Sequence, residues 1–190
     1  MGTIVYIHGF NSSSASVKAR LLREYLQDRG YADEFLASDL PHWPSRAIAK
    51  LESEIRRRDP KTITLIGSSL GGHYATWLAE KHALRAVVVN PAVNPHLLLA
   101  PALGPQKNLY TGGEYQFTPQ HLRELEQSNI AAITRPERYL LLVQTGDEML
   151  DYRHAVEKYR GAKQVVIEGG DHGFQNFSDH IPLILEFAGK

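Results

Sequence analysis

A short apolar run, Ile63 to Ile66, passes through Gly67-Ser68-Ser69-Leu70-Gly71 into a segment of helical period. That is the strand, sharp turn and helix that a G-x-S-x-G nucleophile requires, because side chains at the flanking positions would collide where the helix leaves the strand. Ser69 alone is in frame, since Ser68 would need glycine in place of Ile66 and Leu70. A serine hydroxyl is a weak nucleophile until a base takes its proton, so the pattern demands a histidine with a carboxylate behind it. Of the nine histidines, His172 stands in the glycine-rich loop Gly169-Gly170-Asp171-His172-Gly173, just after the last expected strand. Asp147 follows the run Tyr139 to Val143 and is the favoured carboxylate, with Glu148, Asp151 and Asp171 as competitors. Asp171 adjoins His172, and neighbours in a turn usually point apart; Asp151 lies nearer the next helix and suits its cap.

Attack at Ser69 would create an oxyanion, which needs N–H donors aimed at it. One should be the amide of Leu70, the residue after the nucleophile. The other should be the amide of Phe10, in the loop His8-Gly9-Phe10-Asn11 that follows the first apolar run. His8 reads as a brace of that loop. His73, four residues past Ser69, reads first as a packing histidine and second as a wall of the site. Asn11, His73, Leu98 and Phe117 make up the candidate substrate-binding set, although Leu97, Leu98, Leu99, Tyr115 and Phe117 would equally suit a local core. No metal-ligand spacing, phosphate loop or dinucleotide fingerprint is present, so the chemistry is expected to need no cofactor and no metal.

These residues must be carried by a scaffold, and the hydrophobic pattern says which. Short β-branched runs at Thr3 to Ile7, Ile63 to Ile66, Arg85 to Val89, Tyr139 to Val143 and Gln164 to Ile167, with a weaker one at Glu34 to Ala37, alternate with helical stripes. That alternation predicts an α/β fold, a mostly parallel sheet flanked by helices, and every candidate lies just past the end of a run. The stripes are Val17, Leu21, Leu22, Tyr25 and Leu26; then Ile48, Leu51 and Ile55; then Leu70, Tyr74, Trp77 and Leu78; finally Ile181, Ile184, Leu185 and Ala188. From Pro91 to Pro136 the rhythm breaks, with clustered proline and glycine and one clear helix capped by Thr118. We read this stretch as a lid-like insertion within a single domain spanning residues 1–190.

The chain has 190 residues, 21 basic and 21 acidic side chains, and no cysteine. This length supports one core that buries roughly 70% of the unfolded surface. The missing cysteine excludes disulfides, thiolate ligands and thiolate nucleophiles, leaving Ser69 without a sulfur competitor. Balanced charge argues against a nucleic-acid partner and slightly favours small uncharged substrates over anionic ones. No apolar run approaches the ~18 residues of a membrane helix. A cytoplasmic protein is expected, with its oligomeric state left open.

The order Ser69, Asp147, His172 is that of the α/β-hydrolase superfamily, which the sequence resembles. The segments Tyr6-Ile7-His8-Gly9-Phe10-Asn11-Ser12, Ile66 to Gly72, Asn90-Pro91-Ala92, Thr145 to Glu148 and Gly170-Asp171-His172 resemble, more narrowly, the small bacterial YqiA-like esterases. The resemblance implies an α/β-hydrolase fold and a carboxylic ester or thioester hydrolase, acting on short-chain acyl esters or acyl-CoA. It also implies Ser69 as nucleophile, Asp147 as orienting carboxylate and His172 as general base, with a minimal sheet and an open site. An acyltransferase or peptidase on the same triad is the alternative. A non-catalytic module would be expected to have lost the serine, the histidine or an elbow glycine, and all three are present.

Overall fold

The computed structural model describes residues 2–190. In chain order the elements are β1 (Thr3–Ile7), α1 (Val17–Gln27), β2 (Phe35–Ala37), α2 (Pro44–Ile55), β3 (Ile63–Ser68), α3 (Leu70–His82), β4 (Arg85–Val89), α4 (Pro95–Leu98), β5 (Gly104–Lys107), β6 (Glu114–Phe117), α5 (Pro119–Gln127), β7 (Tyr139–Gln144), α6 (Tyr152–Lys158), β8 (Lys163–Ile167) and α7 (Phe177–Phe187). Six strands form one sheet in the order β2-β1-β3-β4-β7-β8, with every pair parallel.

Successive residues of a strand face opposite sides, and here both sides are dry. Val5, Ile7, Leu65, Val88 and Leu141 pack under α2, α3, α5 and α6. Their neighbours Ile4, Tyr6, Ile66, Val87 and Leu140 pack under α1 and α7. The near-continuous apolar runs of β1, β3, β4 and β7 are therefore strands buried on two faces, the edge strands β2 and β8 being partly exposed, and the polar loops at the carboxyl ends of the strands gather along one edge.

Three details differ from the sequence reading. Glu34 belongs to a 3₁₀ turn, Ala32–Glu34, so β2 begins at Phe35. Val17 opens α1 but is 55% exposed, because the buried stripe is Ala19, Leu22 and Leu26 and Val17 lies about half a turn away from it. The insertion contains more structure than its single expected helix: β5 and β6 form an antiparallel hairpin ahead of α5, and α4 packs against α5. Thr118 does cap α5, with Pro119 at its first position.

Candidate active site

Ser69 sits between the last residue of β3 and the first of α3, at φ 55° and ψ −122°. A serine there is strained, so the surroundings must hold it. They do so through the backbone: Ser69 N–H donates to Val89 O at 3.0 Å, and Ser69 O accepts from Gly72 N–H at 2.9 Å and Ala92 N–H at 3.0 Å. The elbow glycines are sterically obligatory. A Cβ on Gly71 would stand 2.0 Å from Ile7 O, and one on Gly67 would stand 2.3 Å from Gly71 O.

His172 is brought to this serine from the loop after β8. Its Nε2 lies 3.1 Å from Ser69 Oγ, and its Nδ1 lies 3.0 Å and 2.9 Å from the two carboxylate oxygens of Asp147. An ionised carboxylate only accepts, so Nδ1 carries the proton and Nε2 presents its lone pair to Ser69. Asp147 is itself fixed by N–H donation from Met149 and Leu150 to Oδ1, each at 2.9 Å. Its side chain is 2% exposed. The three competitors are engaged elsewhere: Glu148 accepts the backbone N–H of His172 at 3.0 Å, Asp171 accepts from Gln175 Nε2 at 2.9 Å, and Asp151 caps α6 through Arg153 N–H at 3.0 Å.

Residues beyond the sequence set complete the support. Asn90, buried with φ 40°, donates through Nδ2 to Asp171 O at 3.0 Å and His172 O at 3.2 Å, and accepts Gln144 N–H at 3.1 Å. Gln144 Oε1 accepts the N–H groups of Asp171 and Gln175 at 3.1 and 2.8 Å, while its Nε2 donates to Gln175 O at 2.9 Å. A polar residue terminating each of two apolar strands was the available signal. Lys18 Nζ donates to Gly173 O at 2.7 Å, and burial lowers its pKa to about 8, against the opposing pull of Asp171 and Asp147. Nothing in the polar face of α1 marks that lysine.

On the opposite side of Ser69 runs the loop after β1. A Cβ on Gly9 would lie 3.1 Å from Ser69 Cβ and 3.6 Å from Ser69 Oγ, so this backbone passes directly against the serine. The Phe10 N–H follows it, and the Leu70 N–H opens α3, where the first amides have no intrahelical acceptor. His8 braces the loop: Leu40 N–H donates to its Nε2 at 3.1 Å, which leaves the Nδ1 proton for Gly9 O at 2.9 Å. A cleft of about 280 Å³ opens against Gly9 and Leu70, the neighbours of Ser69, with Phe10, Leu40, His42, Tyr74 and Tyr115 among its walls and Ser69 itself outside its lining. Its lining contains no lysine or arginine and one carboxylate, Glu114.

Of the four residues expected to bind substrate, Asn11 alone lines this cleft. Leu98 lies on α4, 40% exposed and outside it. Phe117 is core, its ring edge-on to Phe10 with centroids 5.3 Å apart. His73 projects from the far side of α3, buried, with Nε2 2.8 Å from Ser128 Oγ. Four residues after Ser69 is one helical turn, but α3 is covered nearly all round, so that turn carries His73 into packing. Among the described residues no group of three or more His, Asp or Glu side chains is disposed to hold a metal, and no helix is long and apolar enough to cross a membrane.

Burial, helped by Lys158 and His96, pushes His73 down to about 3, and burial also lowers His8 and His121. Below about pH 6.5 the unfolded chain takes up a proton on His73 that the folded chain refuses until about pH 3, so stability is full above pH 6.5 and declines as pH falls. For His73 the slope is roughly 1–1.5 kcal/mol per pH unit. Urea midpoints measured between pH 7 and pH 4 should therefore fall, and His73→Met should make the decline shallower by close to one proton. Parallel curves for the two proteins would refute the assignment to His73.

The parallel sheet, with a strained serine at a strand-to-helix elbow and Asp147 and His172 in loops at the same edge, has the α/β-hydrolase fold. The chain also matches, over residues 3–189, the model of the uncharacterised protein family UPF0227, and it belongs to that family. Solved structures share the fold at low identity. The alpha/beta hydrolase domain-containing protein 10 from mouse superposes with a TM-score of 0.75 at 17% identity, covering 98% of this chain and 89% of that one. Est1E from Butyrivibrio proteoclasticus, with ferulic acid bound, gives 0.70 at 15%, with 100% and 90% covered. A monoacylglycerol lipase from Paleococcus ferrophilus gives 0.70 at 18%, with 99% and 96% covered.

Proposed function

We propose that the protein is a single-domain serine hydrolase that cleaves carboxylic esters or thioesters of small, uncharged acyl groups through an acyl-enzyme. The observation that supports this reading is the continuous relay from Ser69 Oγ through both nitrogens of His172 to Asp147, with contacts of 2.9 to 3.1 Å. Ser69 attacks the acyl carbonyl as its proton passes to His172 Nε2, and Asp147 stabilises the imidazolium that forms. The amides of Phe10 and Leu70 receive the negative oxygen. The collapsing intermediate takes the proton from His172 into the leaving alcohol or thiol, and water then repeats the sequence to release the acid.

The cleft suits the acyl side of the bond. At about 280 Å³ it lies just below the usual range for small-molecule sites, and its single lining charge is negative. Short neutral acyl groups therefore fit better than long chains or carboxylate-bearing ones. Two proteins of the same fold, a monoacylglycerol lipase and a protein that binds ferulic acid, are consistent with acyl chemistry on this scaffold.

A fluorophosphonate probe should label the protein and fail to label Ser69→Ala. In a panel of p-nitrophenyl esters and acyl-CoA thioesters of graded length, turnover should be highest for short neutral oxygen esters. Labelling that persists in Ser69→Ala overturns the mechanism; preference for long acyl-CoA overturns the substrate class.

A further inference from the structure

The β5–β6 hairpin occupies the place of a lid, yet its polar groups are spent on the loop that carries Phe10. Asn11 follows Phe10 with φ 51°, a left-handed backbone uncommon outside glycine that asparagine enters more readily than alanine, and here it is also held. The hairpin supplies the hold from three directions. Asn11 Nδ2 donates to Gln106 Oε1 at 2.9 Å, Tyr115 OH donates to Asn11 Oδ1 at 2.7 Å, and Leu109 N–H donates to Asn11 O at 3.0 Å. A fourth bond runs from Asn108 Nδ2 to Ser12 O at 2.8 Å. The hairpin end of these bonds is itself rigid. Gln106 Nε2 donates to Ala102 O at 2.7 Å, and Asn108 Oδ1 accepts the N–H groups of Tyr110 and Thr111, each at 2.9 Å.

We propose that the hairpin is a fixed strut of the oxyanion-binding loop, and that Asn11 and Tyr115 are positioning residues that keep the Phe10 N–H aimed beside Ser69. This rests on the reading of Ser69 as nucleophile and Phe10 as an oxyanion donor. Asn11 thus serves the site through its neighbour: its amide is committed to the hairpin and is not free for substrate. A donor that stabilises only the transition state, displaced by a fraction of an ångström, costs kcat and leaves ground-state binding nearly intact.

Tyr115→Phe isolates the effect, because the ring keeps its stacking on His42, at 4.3 Å between centroids, and loses only the hydroxyl. Asn11→Ala removes both side-chain bonds and leaves a residue poorly suited to the left-handed backbone. On a short-chain p-nitrophenyl ester, Asn11→Ala should lower kcat by about 10- to 100-fold, short of the roughly 10²- to 10³-fold cost of losing an oxyanion donor outright, because the donor is displaced and not removed. KM should change by less than about threefold, and affinity for an alkyl boronate, which mimics the tetrahedral state, should fall in parallel with kcat. Tyr115→Phe should lower kcat several-fold, and the double variant should be no worse than Asn11→Ala, because the shared bond is already gone. Asn11→Gly, which restores the backbone but not the side chain, should fall between wild type and Asn11→Ala.

A loss of kcat matched by an equal rise in KM, with boronate affinity unchanged, would mean a wall of the cleft and would overturn the strut. So would wild-type kcat in both single variants. Should Asn11→Ala unfold, Tyr115→Phe and Asn11→Gly still carry the test. If Ser69→Ala abolishes turnover while the Asn11 and Tyr115 variants keep it, only the strut fails; if Ser69→Ala stays active, the underlying mechanism fails.

Discussion

Ser69→Ala should lower kcat for a short-chain ester by on the order of 10⁵ to 10⁶, leaving the background that bound substrate and the Phe10 and Leu70 amides can sustain. The fold should not suffer. Alanine meets the same positive φ that serine does, and the hydroxyl's one contact in the site is His172 Nε2 at 3.1 Å. Thermal midpoints of the two proteins should agree closely, while Ser69→Gly should be more stable by about 1 kcal/mol because glycine adopts φ 55° without strain. On the proposed mechanism the three side chains act as one relay, so their losses should not add. Ser69→Ala combined with His172→Ala should be no slower than either alone. Asp147→Asn should cost on the order of 10⁴, because an amide can donate to Nδ1 and so favour the tautomer with its proton on the wrong nitrogen. Residual turnover above one per cent in Ser69→Ala, measured in single-turnover assays on protein free of wild type, would remove Ser69 from the mechanism.

What could be read from the sequence tracks how local the causes were. The central strands of the sheet were legible because burial on both faces writes itself as a nearly continuous apolar run, as in Tyr139 to Val143. Ser69, Asp147 and His172 could be singled out because each stands in the loop after an expected strand, and a parallel sheet brings those loops together. The β5–β6 hairpin was not, since Gly104-Pro105-Gln106-Lys107 has no apolar alternation and its strands of four residues are tied by polar bonds to a loop about 95 residues earlier. Asn90 and Gln144 were visible as polar ends of apolar strands, but their work lies across the sheet, on the His172 loop. Whether His73 and Phe117 pack in the core or line the site was left open for a related reason. Spacing relative to Ser69 says which turn a residue is on, whereas the covering of α3 by its neighbours decides whether that face meets the cleft or the core.

Gly71→Ala should be the most damaging single methyl group in the protein. The added carbon would stand 2.0 Å from Ile7 O and 2.7 Å from His8 O, both backbone atoms, so no rotamer change relieves it. Relief requires α3 to move off β1, yet Ile7 is paired in register with Gly67, at the root of the same elbow. The cost should exceed the ~1–3 kcal/mol typical of an overpacked side chain, which is a large share of the ~5–15 kcal/mol that holds a domain folded. Gly113→Ala is the matched control: its added carbon meets only Thr111 Oγ1, at 3.4 Å, and its urea midpoint should stay within about 0.5 kcal/mol of wild type. The effect on the chemistry follows from the same movement. Phe10 belongs to the loop leaving β1 and Leu70 is the first residue of α3, so parting the two elements spreads the two amides that, on the proposed mechanism, converge on one oxygen. Any Gly71→Ala protein that folds should therefore lose kcat far more than its stability loss alone explains. A variant with wild-type midpoint and wild-type rate would mean that β1 and α3 possess slack that the 2.0 Å between the added carbon and Ile7 O denies.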